Sequence, residues 1–363
     1  MTEREVKHQR VAEYLDRKGL TAVALTRREN FAWYTGGKDN HVVTHSDVGA
    51  ATLVVTKETA WCVTTNIEEP RLRDEEIGGD IEVIGLPWHD SSAIESRIHE
   101  LIAEGEVASD DGGFGLPVLD ADWAELRFSL LPEEIDRYRA LGADCARVME
   151  TLCKSVRPGD TEADLAGRMH ALACRRMVET YVCLIAADER ILKYRHPIYT
   201  DKPVKQCAMV VMCGRRHGLI ANLTRLIHFG DLPEDLRKRH DACCAVDTAL
   251  NLGTRVGRPV NEIFNDAVKA YAELGFAGEW KLHHQGGPTG YAGRDYFATP
   301  EETRTVQPAQ AFAWNPSIAG TKSEDTLLAT RKGIEVFTQA EDWPMVSAQY
   351  EGRVLPRPGI LVL

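Results

Sequence analysis

The sequence predicts an α+β protein of two domains, a smaller α/β unit followed by a larger helix-and-sheet unit. Three observations lead there. The chain has 363 residues, enough to bury two separate cores. Residues 1–125 alternate short apolar runs with amphipathic, charged stretches. Residues 126–363 begin instead with two long helical patterns and then carry two strand–turn–strand stretches, at 208–225 and 311–330.

The first domain is expected to open on a helix that ends near Lys18-Gly19, where Gly is a common stop. Ala22–Leu25 reads as a short strand. Arg28 to Gly37 follows as a loop carrying Phe31, Trp33 and Tyr34 before a Gly pair. Ala51–Val55 and Ala60–Thr64 alternate like a hairpin, Glu68–Glu76 reads as a charged helix, and Ile81–Ile84 as a strand. A helix over Ser91–Ile102 and a strand over Val107–Phe114 complete the unit.

In the second domain Pro132, Glu133 and Glu134 suit the first turn of a long helix running to Ser155. Arg157-Pro158-Gly159-Asp160 is a turn, and Thr161 with Asp164 caps the next helix. Tyr181–Ala186 is a buried-type strand. Ala208–Arg225 reads as strand, turn, strand; Pro233–Gly253 and Val260–Leu274 read as helices. In Ala311–Thr330, Phe312 and Trp314 share a strand face, Pro316, Ser317 and Gly320 break the run, and Ser323–Thr330 resumes it. Asn315 and Glu324 stand at the inner ends of these strands, so facing positions bring both into one pocket.

Composition narrows the function. The net charge of −12 (43 Lys+Arg, 55 Asp+Glu) argues against nucleic acid or an anionic membrane as partner. No stretch approaches the ~20 apolar residues of a membrane span, and Met1–Thr21 has no signal-peptide pattern. Nine scattered cysteines, none in a Cys-x-x-Cys pair, suit a reducing cytoplasm.

The motifs of the second domain, in their order, resemble those of the pita-bread enzymes: creatinase, aminopeptidase P, prolidase and methionine aminopeptidase. Met212-Cys213-Gly214 stands where that family writes Asp-x-Gly, and Asn222-Leu223-Thr224-Arg225 where it writes Asp-x-Thr-Arg. His284 and Gly287 match the His and second Gly of Gly-His-Gly-x-Gly. Asn315-Pro316 stands for Glu-Pro, and Glu324-Asp325-Thr326 matches Glu-Asp-Thr. The resemblance implies a pita-bread catalytic domain behind a creatinase-type N-terminal domain. It also implies a homodimer, with Trp33 or Tyr34 of one subunit reaching over the other's pocket.

By this resemblance the family's five metal positions hold Met212, Asn222, His284, Asn315 and Glu324. A hydrolytic metal pair needs several anionic oxygens, whereas a thioether prefers soft ions and amides bind weakly. No metal and no other cofactor is therefore expected. The logic is nearest to metal-free creatinase, in which a His precedes the first ligand strand, and His196 holds that place. His196 is expected to act as general acid and base, Glu324 to pair with a cationic group, and His284 to donate to an oxyanion. Arg294, in Tyr291-Ala292-Gly293-Arg294, matches an arginine that holds a substrate carboxylate. Arg225, Tyr291, Asn315, Asn222, Trp33 and Tyr34 complete the expected substrate contacts. Arg225 is alternatively a buried ion-pair partner, and Trp33 and Tyr34 alternatively core aromatics. Because His283 and His284 are adjacent, an extended chain points them apart, so His284 is expected to face the cleft and His283 to be structural.

The reading is a metal-independent hydrolase that cleaves a C–N bond in a small polar, zwitterionic metabolite. Three alternatives stay open: an Xaa-Pro-type peptidase with a non-standard metal site, a lyase or cyclase using the same cleft, or a catalytically retired binding protein.

Overall fold

The computed structural model describes residues 1–102 and 105–363. The chain divides into two units, Met1–Arg127 and Phe128–Leu363, two residues beyond the boundary expected at 125.

The first unit is built in the order α1 (Glu3–Lys18), β1 (Ala22–Arg27), α2 (Arg28–Tyr34), β2 (Val48–Thr56), β3 (Ala60–Thr65), α3 (Glu69–Arg71), β4 (Glu82–Leu86), α4 (Ser91–Ile102) and β5 (Val107–Ser109). Helix α1 starts at a capping box, in which Thr2 and Glu5 satisfy each other's backbone N–H, and stops at Gly19 with φ 69°. The sheet runs β4-β3-β2-β1-β5; its first three strands in sequence pair antiparallel, and β4 and β5 join as parallel edges. Ala22, Val54 and Val63 pack with Ile98 and Ile102 of α4, which shields that face from water.

Three local expectations change here. Residues 28–34 form a helix rather than a loop, because Phe31, Ala32, Trp33 and Tyr34 all bury. The helix over residues 68–76 is only the short turn α3, after which the backbone widens into a π-type turn over Leu72–Ile77. Strand β5 ends at Ser109, before a turn in which Gly112 has φ 75° and Phe114 has φ 59°.

The second unit opens with α5 (Pro132–Ser155), α6 (Glu162–Cys174), β6 (Glu179–Ala187), α7 (Glu189–Lys193), β7 (Cys207–Arg216) and β8 (Leu219–His228). Then come α8 (Glu234–Gly253), α9 (Val260–Glu273), β9 (Gly286–Pro288), β10 (Ala311–Trp314), β11 (Ser317–Ile318), β12 (Thr321–Lys322) and β13 (Asp325–Thr330). The chain finishes with β14 (Gly333–Val336), β15 (Met345–Tyr350), β16 (Arg353–Pro358) and β17 (Ile360–Val362). Thr161 and Asp164 form the capping box that starts α6. One sheet is ordered β17-β8-β7-β6 and the other β14-β13-β10-β9. His217 and Gly218, with φ 54° and 76°, make the tight turn between β7 and β8. Helices α8 and α9 cover the second sheet through Val246, Leu250, Ile263, Phe264, Phe312 and Leu327.

The two sheets meet where β8 lies beside β13. Thr224 N–H donates to the Glu324 carbonyl at 3.1 Å, and Asn222 N–H to Thr326 Oγ1 at 2.7 Å. Below this seam lies a buried charge network. Arg225 donates to Asp325 at 2.9 Å, and Arg357 of β16 donates to Asp325 at 2.8 Å and to Asp247 of α8 at 2.7 Å. Thr338 adds a hydroxyl donor to Asp325 at 2.8 Å.

Breaking such a network by removing one partner strands the remaining charges in a dry interior. Asp325→Ala is expected to cost about 3–5 kcal/mol, read as a lower urea midpoint. An unshifted midpoint would rule out this network as the tie between the sheets.

Candidate active site

The site gathers side chains from β8, β12 and the residue before β13, together with His196, His283, His284 and Arg294 from the segments between elements. Glu324 precedes β13 and is 2% exposed. It accepts from Lys322 Nζ at 2.7 Å, from Thr224 Oγ1 at 2.7 Å and from Arg294 Nη2 at 3.3 Å. Burial alone would raise its pKa, but the charges of Lys322 and Arg294 and these hydrogen bonds outweigh it and hold the carboxyl below its usual range.

Lys322 was not anticipated from the sequence. It is 4% exposed and sits two residues before Glu324 on an extended segment, so both side chains lie on one face. That spacing was the available signal. The segment between β10 and β13 is not a plain loop: it folds into the β11–β12 pair, turning at Gly320, and this pair carries Lys322 to the carboxylate.

Three imidazoles stand beside this ion cluster. One ring nitrogen from each of His196, His283 and His284 lies within 4.8 Å of the other two. His196 Nε2 and His283 Nε2 face each other at 3.1 Å, and His283 Nδ1 meets Ser317 Oγ at 3.0 Å. His283 therefore belongs to the site, contrary to expectation. The chain at 283–284 lies between a 3-10 turn and β9, outside any strand, and the two ring centroids are 4.6 Å apart. All three pKa values are lowered. For His196 burial is the main cause, then the Lys322 charge; for His284 burial and then Arg294 bring the value to about 4; for His283 burial and then Lys322 act. At neutral pH these rings are uncharged, and Lys322 and Arg294 outnumber Glu324 by one positive charge.

Asn222 and Asn315 are both buried beside the cluster. Asn222 Nδ2 donates to Thr289 Oγ1 at 3.2 Å. Gly286 is required between these strands, because its φ is 96° and a Cβ there would lie 2.2 Å from the Ala313 carbonyl oxygen and 2.8 Å from Asn315 Oδ1. Asn222 Oδ1, Asn315 Oδ1, His284 Nδ1 and Arg294 Nε are buried without a hydrogen-bond partner among the described residues. Such orphaned atoms mark a place where a polar ligand or water completes the bonding.

Several expected contacts fall elsewhere. Arg225 is 1% exposed, and it hydrogen-bonds Asp325 and the Thr338 carbonyl inside the charge network rather than facing the cleft. Tyr291 donates to Glu134 of α5 at 2.6 Å and is 2% exposed, which makes it a brace for the loop. Trp33 is fully buried in the first unit, edge-on to Trp123 at 6.1 Å, and the Tyr34 hydroxyl bonds His8 at 2.7 Å. Trp33 is thus enclosed in the first unit, and Tyr34 lines a pocket of that same unit beside His8, Lys57 and Thr59. Met212 also moves: the register sets Cys213, not Met212, opposite Asn222. Met212 turns toward Gly214 and Cys145, away from the cleft, because successive strand residues alternate sides. Cys213 feels the Glu324, Arg294 and Lys322 charges, but burial pushes its thiol up to about 12, so it is not a thiolate at neutral pH.

A model of metallopeptidase family M24 matches residues 136–337, more than half of the chain. The chain belongs to metallopeptidase family M24. The creatinase/prolidase N-terminal domain matches residues 7–139. Among curated relatives, a probable dipeptidase PepE of Mycobacterium bovis is 25% identical over 232 residues, 60% of each chain. An uncharacterized peptidase of Staphylococcus aureus is 26% identical over 127 residues, 33% of this chain and 36% of that one. The chain thus spans less than two thirds of these relatives' length. The fold is shared with an Xaa-Pro dipeptidase from Bacillus anthracis, at TM-score 0.80 and 14% identity over 99% of this chain and 100% of that one. It is shared also with the dipeptidase PepE from Mycobacterium ulcerans, at TM-score 0.77 and 17% identity over 99% and 98%. The N-terminal domain of the chickpea FACT complex subunit SPT16 has the same fold, at TM-score 0.73 and 12% identity over 94% and 97%.

The M24 family implies a metal pair, and the residues here do not fit one. The cleft ends of β7 and β8 offer a protonated thiol and an amide, Asn315 is a second amide, and Glu324 already holds two fixed cations. Among the described residues no group of carboxylates converges as a metal site would require; the converging ligand atoms are the three imidazoles. No helix of the described residues is long and apolar enough to cross a membrane.

Because Lys322 lowers the pKa of His196, His283 and His284 alike, Lys322→Met is expected to raise all three toward the ordinary histidine value near 6.5. Histidine ring resonances followed by NMR against pH report the shift; unchanged midpoints would separate Lys322 from the imidazoles.

Proposed function

We propose that this M24 protein hydrolyses a carbon–nitrogen bond in a small, carboxylate-bearing polar metabolite, using its own side chains in place of a metal pair. The observation that supports this is the charge balance of the cleft: one buried carboxylate, Glu324, against two cations, Lys322 and Arg294. The surplus positive charge, with the orphaned Arg294 Nε, suits a substrate carboxylate. The orphaned amide oxygens of Asn222 and Asn315 suit N–H groups at the other end of a zwitterion.

The chemistry follows from the imidazoles. Neutral His196 takes a proton from a water molecule, and the facing His283 nitrogen shares it. The water oxygen bonds the substrate carbon. The proton then passes to the leaving nitrogen as the C–N bond breaks, so the added atoms are those of one water. A ring N–H of neutral His284 and the charge of Lys322 stabilise the oxygen that gains negative charge. In a cleft with a low effective dielectric each such donor contributes on the order of 10²–10³ in rate.

A second reading has a specific observation behind it. Among the relatives named above are a probable dipeptidase and an Xaa-Pro dipeptidase, which supports a dipeptide amide as the bond cleaved. The fold is also that of a FACT subunit domain, which keeps a retired, partner-binding protein as the third reading. A homodimer and a cytoplasmic location go with the enzyme reading and are checked by sedimentation and by cell fractionation.

His196→Asn is expected to lower kcat by at least ~10²-fold while KM changes little. Activity is expected to persist in excess EDTA. A screen of amides, amidines, lactams and dipeptides that yields no turnover, while a protein partner co-purifies, would favour the binding protein. Activity lost to EDTA and restored by Mn²⁺ would favour the metallopeptidase.

A further inference from the structure

We propose that His196, His283 and His284 form a binding site for a single borderline divalent cation, Zn²⁺ foremost, whose occupancy blocks the acid–base pair. The inhibitory half rests on the function proposed above; the binding itself does not.

The argument is geometric. Three imidazole nitrogens converge within 4.8 Å. Two Zn²⁺-bound nitrogens at ~2.0–2.1 Å in tetrahedral geometry lie roughly 3.4 Å apart, and His196 Nε2 and His283 Nε2 already stand at 3.1 Å. The same separation serves a shared hydrogen or a shared ion. His283 is oriented by Ser317, whose hydroxyl lies 3.0 Å from Nδ1 and also accepts from Arg195 at 3.0 Å. A metal-ligating imidazole is held in this way, with its second nitrogen tied to a fixed group. His284 contributes the third ring, with a buried nitrogen that has no partner among the described residues.

The surroundings set the ion's identity. Lys322 and Arg294 repel a dication, and Glu324 offsets one of them. Hard ions such as Mg²⁺ and Mn²⁺, which rely on carboxylate charge, gain too little from three neutral nitrogens to overcome this. Zn²⁺, Ni²⁺ and Cu²⁺, which bond imidazole more strongly, gain enough. The fourth position faces the cleft, where the excess positive charge favours an anion or a substrate carboxylate. An ion seated there takes the Nε2 lone pair that His196 needs for proton transfer.

Calorimetric titration of the purified full-length protein with ZnCl₂ at neutral pH tests this without any substrate. One Zn²⁺ per chain is expected, with MgCl₂ and MnCl₂ giving no comparable heat. His196→Asn, at an exposed loop position, is expected to weaken binding at least tenfold, and Ser317→Ala by about 10–100-fold. No Zn²⁺ binding, or binding that His196→Asn and Ser317→Ala both leave unchanged, overturns the site. In the hydrolase assay, saturating Zn²⁺ is expected to cut the rate at least tenfold, and EDTA to restore it. Zn²⁺ bound with the rate unchanged overturns the inhibition. Absence of any hydrolysable substrate defeats the function above, while the calorimetry still decides the site.

Discussion

Asp325 carries the second unit. Its carboxylate takes donors from Arg225 of β8, Arg357 of β16 and Thr338 beyond β14, and Arg357 in turn reaches Asp247 of α8. Four elements distant in sequence are joined through buried ions whose lone partners would be costly. This constraint also aims the site. With Asp325 committed to the interior and Thr326 bonded to the Asn222 backbone, the preceding Glu324 has only the cleft side left.

A carboxylate placed there needs counter-charge, because burial penalises its ionised form. The M24 fold ordinarily provides a setting for metal ions at this place. Here Lys322 and Arg294 provide fixed positive charge instead, and the positions that would have added anionic ligands carry Cys213, Asn222 and Asn315. These changes are mutually consistent. Neutral groups around a carboxylate with two cations leave the site with a surplus of one positive charge, whereas two metal ions added to the same cations would leave it strongly positive.

The histidines read the same field. Burial and the neighbouring cations favour their neutral forms, and a neutral imidazole has a lone pair available for a proton or for a metal ion. The Ser317 contact fixes one ring and thereby the ring facing it. On the two proposals above, proton transfer and metal capture compete for one arrangement, and the free concentration of the ion sets the balance.

What the sequence determined by itself was local or ordered along the chain. The helix stop at Gly19, the helix cap at Thr161, the β7–β8 hairpin and the succession of motifs from Met212 to Thr326 depend on neighbouring residues and were legible. Tertiary structure decided which side each residue faces. A register set by a two-residue turn exchanged Met212 for Cys213, and an irregular segment brought His283 in beside His284. Asp325, Asp247 and Arg357 claimed Arg225 for the interior, and Glu134 claimed Tyr291. Strand β17 had no legible signal, because it gains its place only by pairing with β8, more than a hundred residues earlier. Lys322 became a site residue only when β11 and β12 closed on each other beside Glu324. Pairings between distant strands leave no local period in a sequence, and those pairings are what built the cleft.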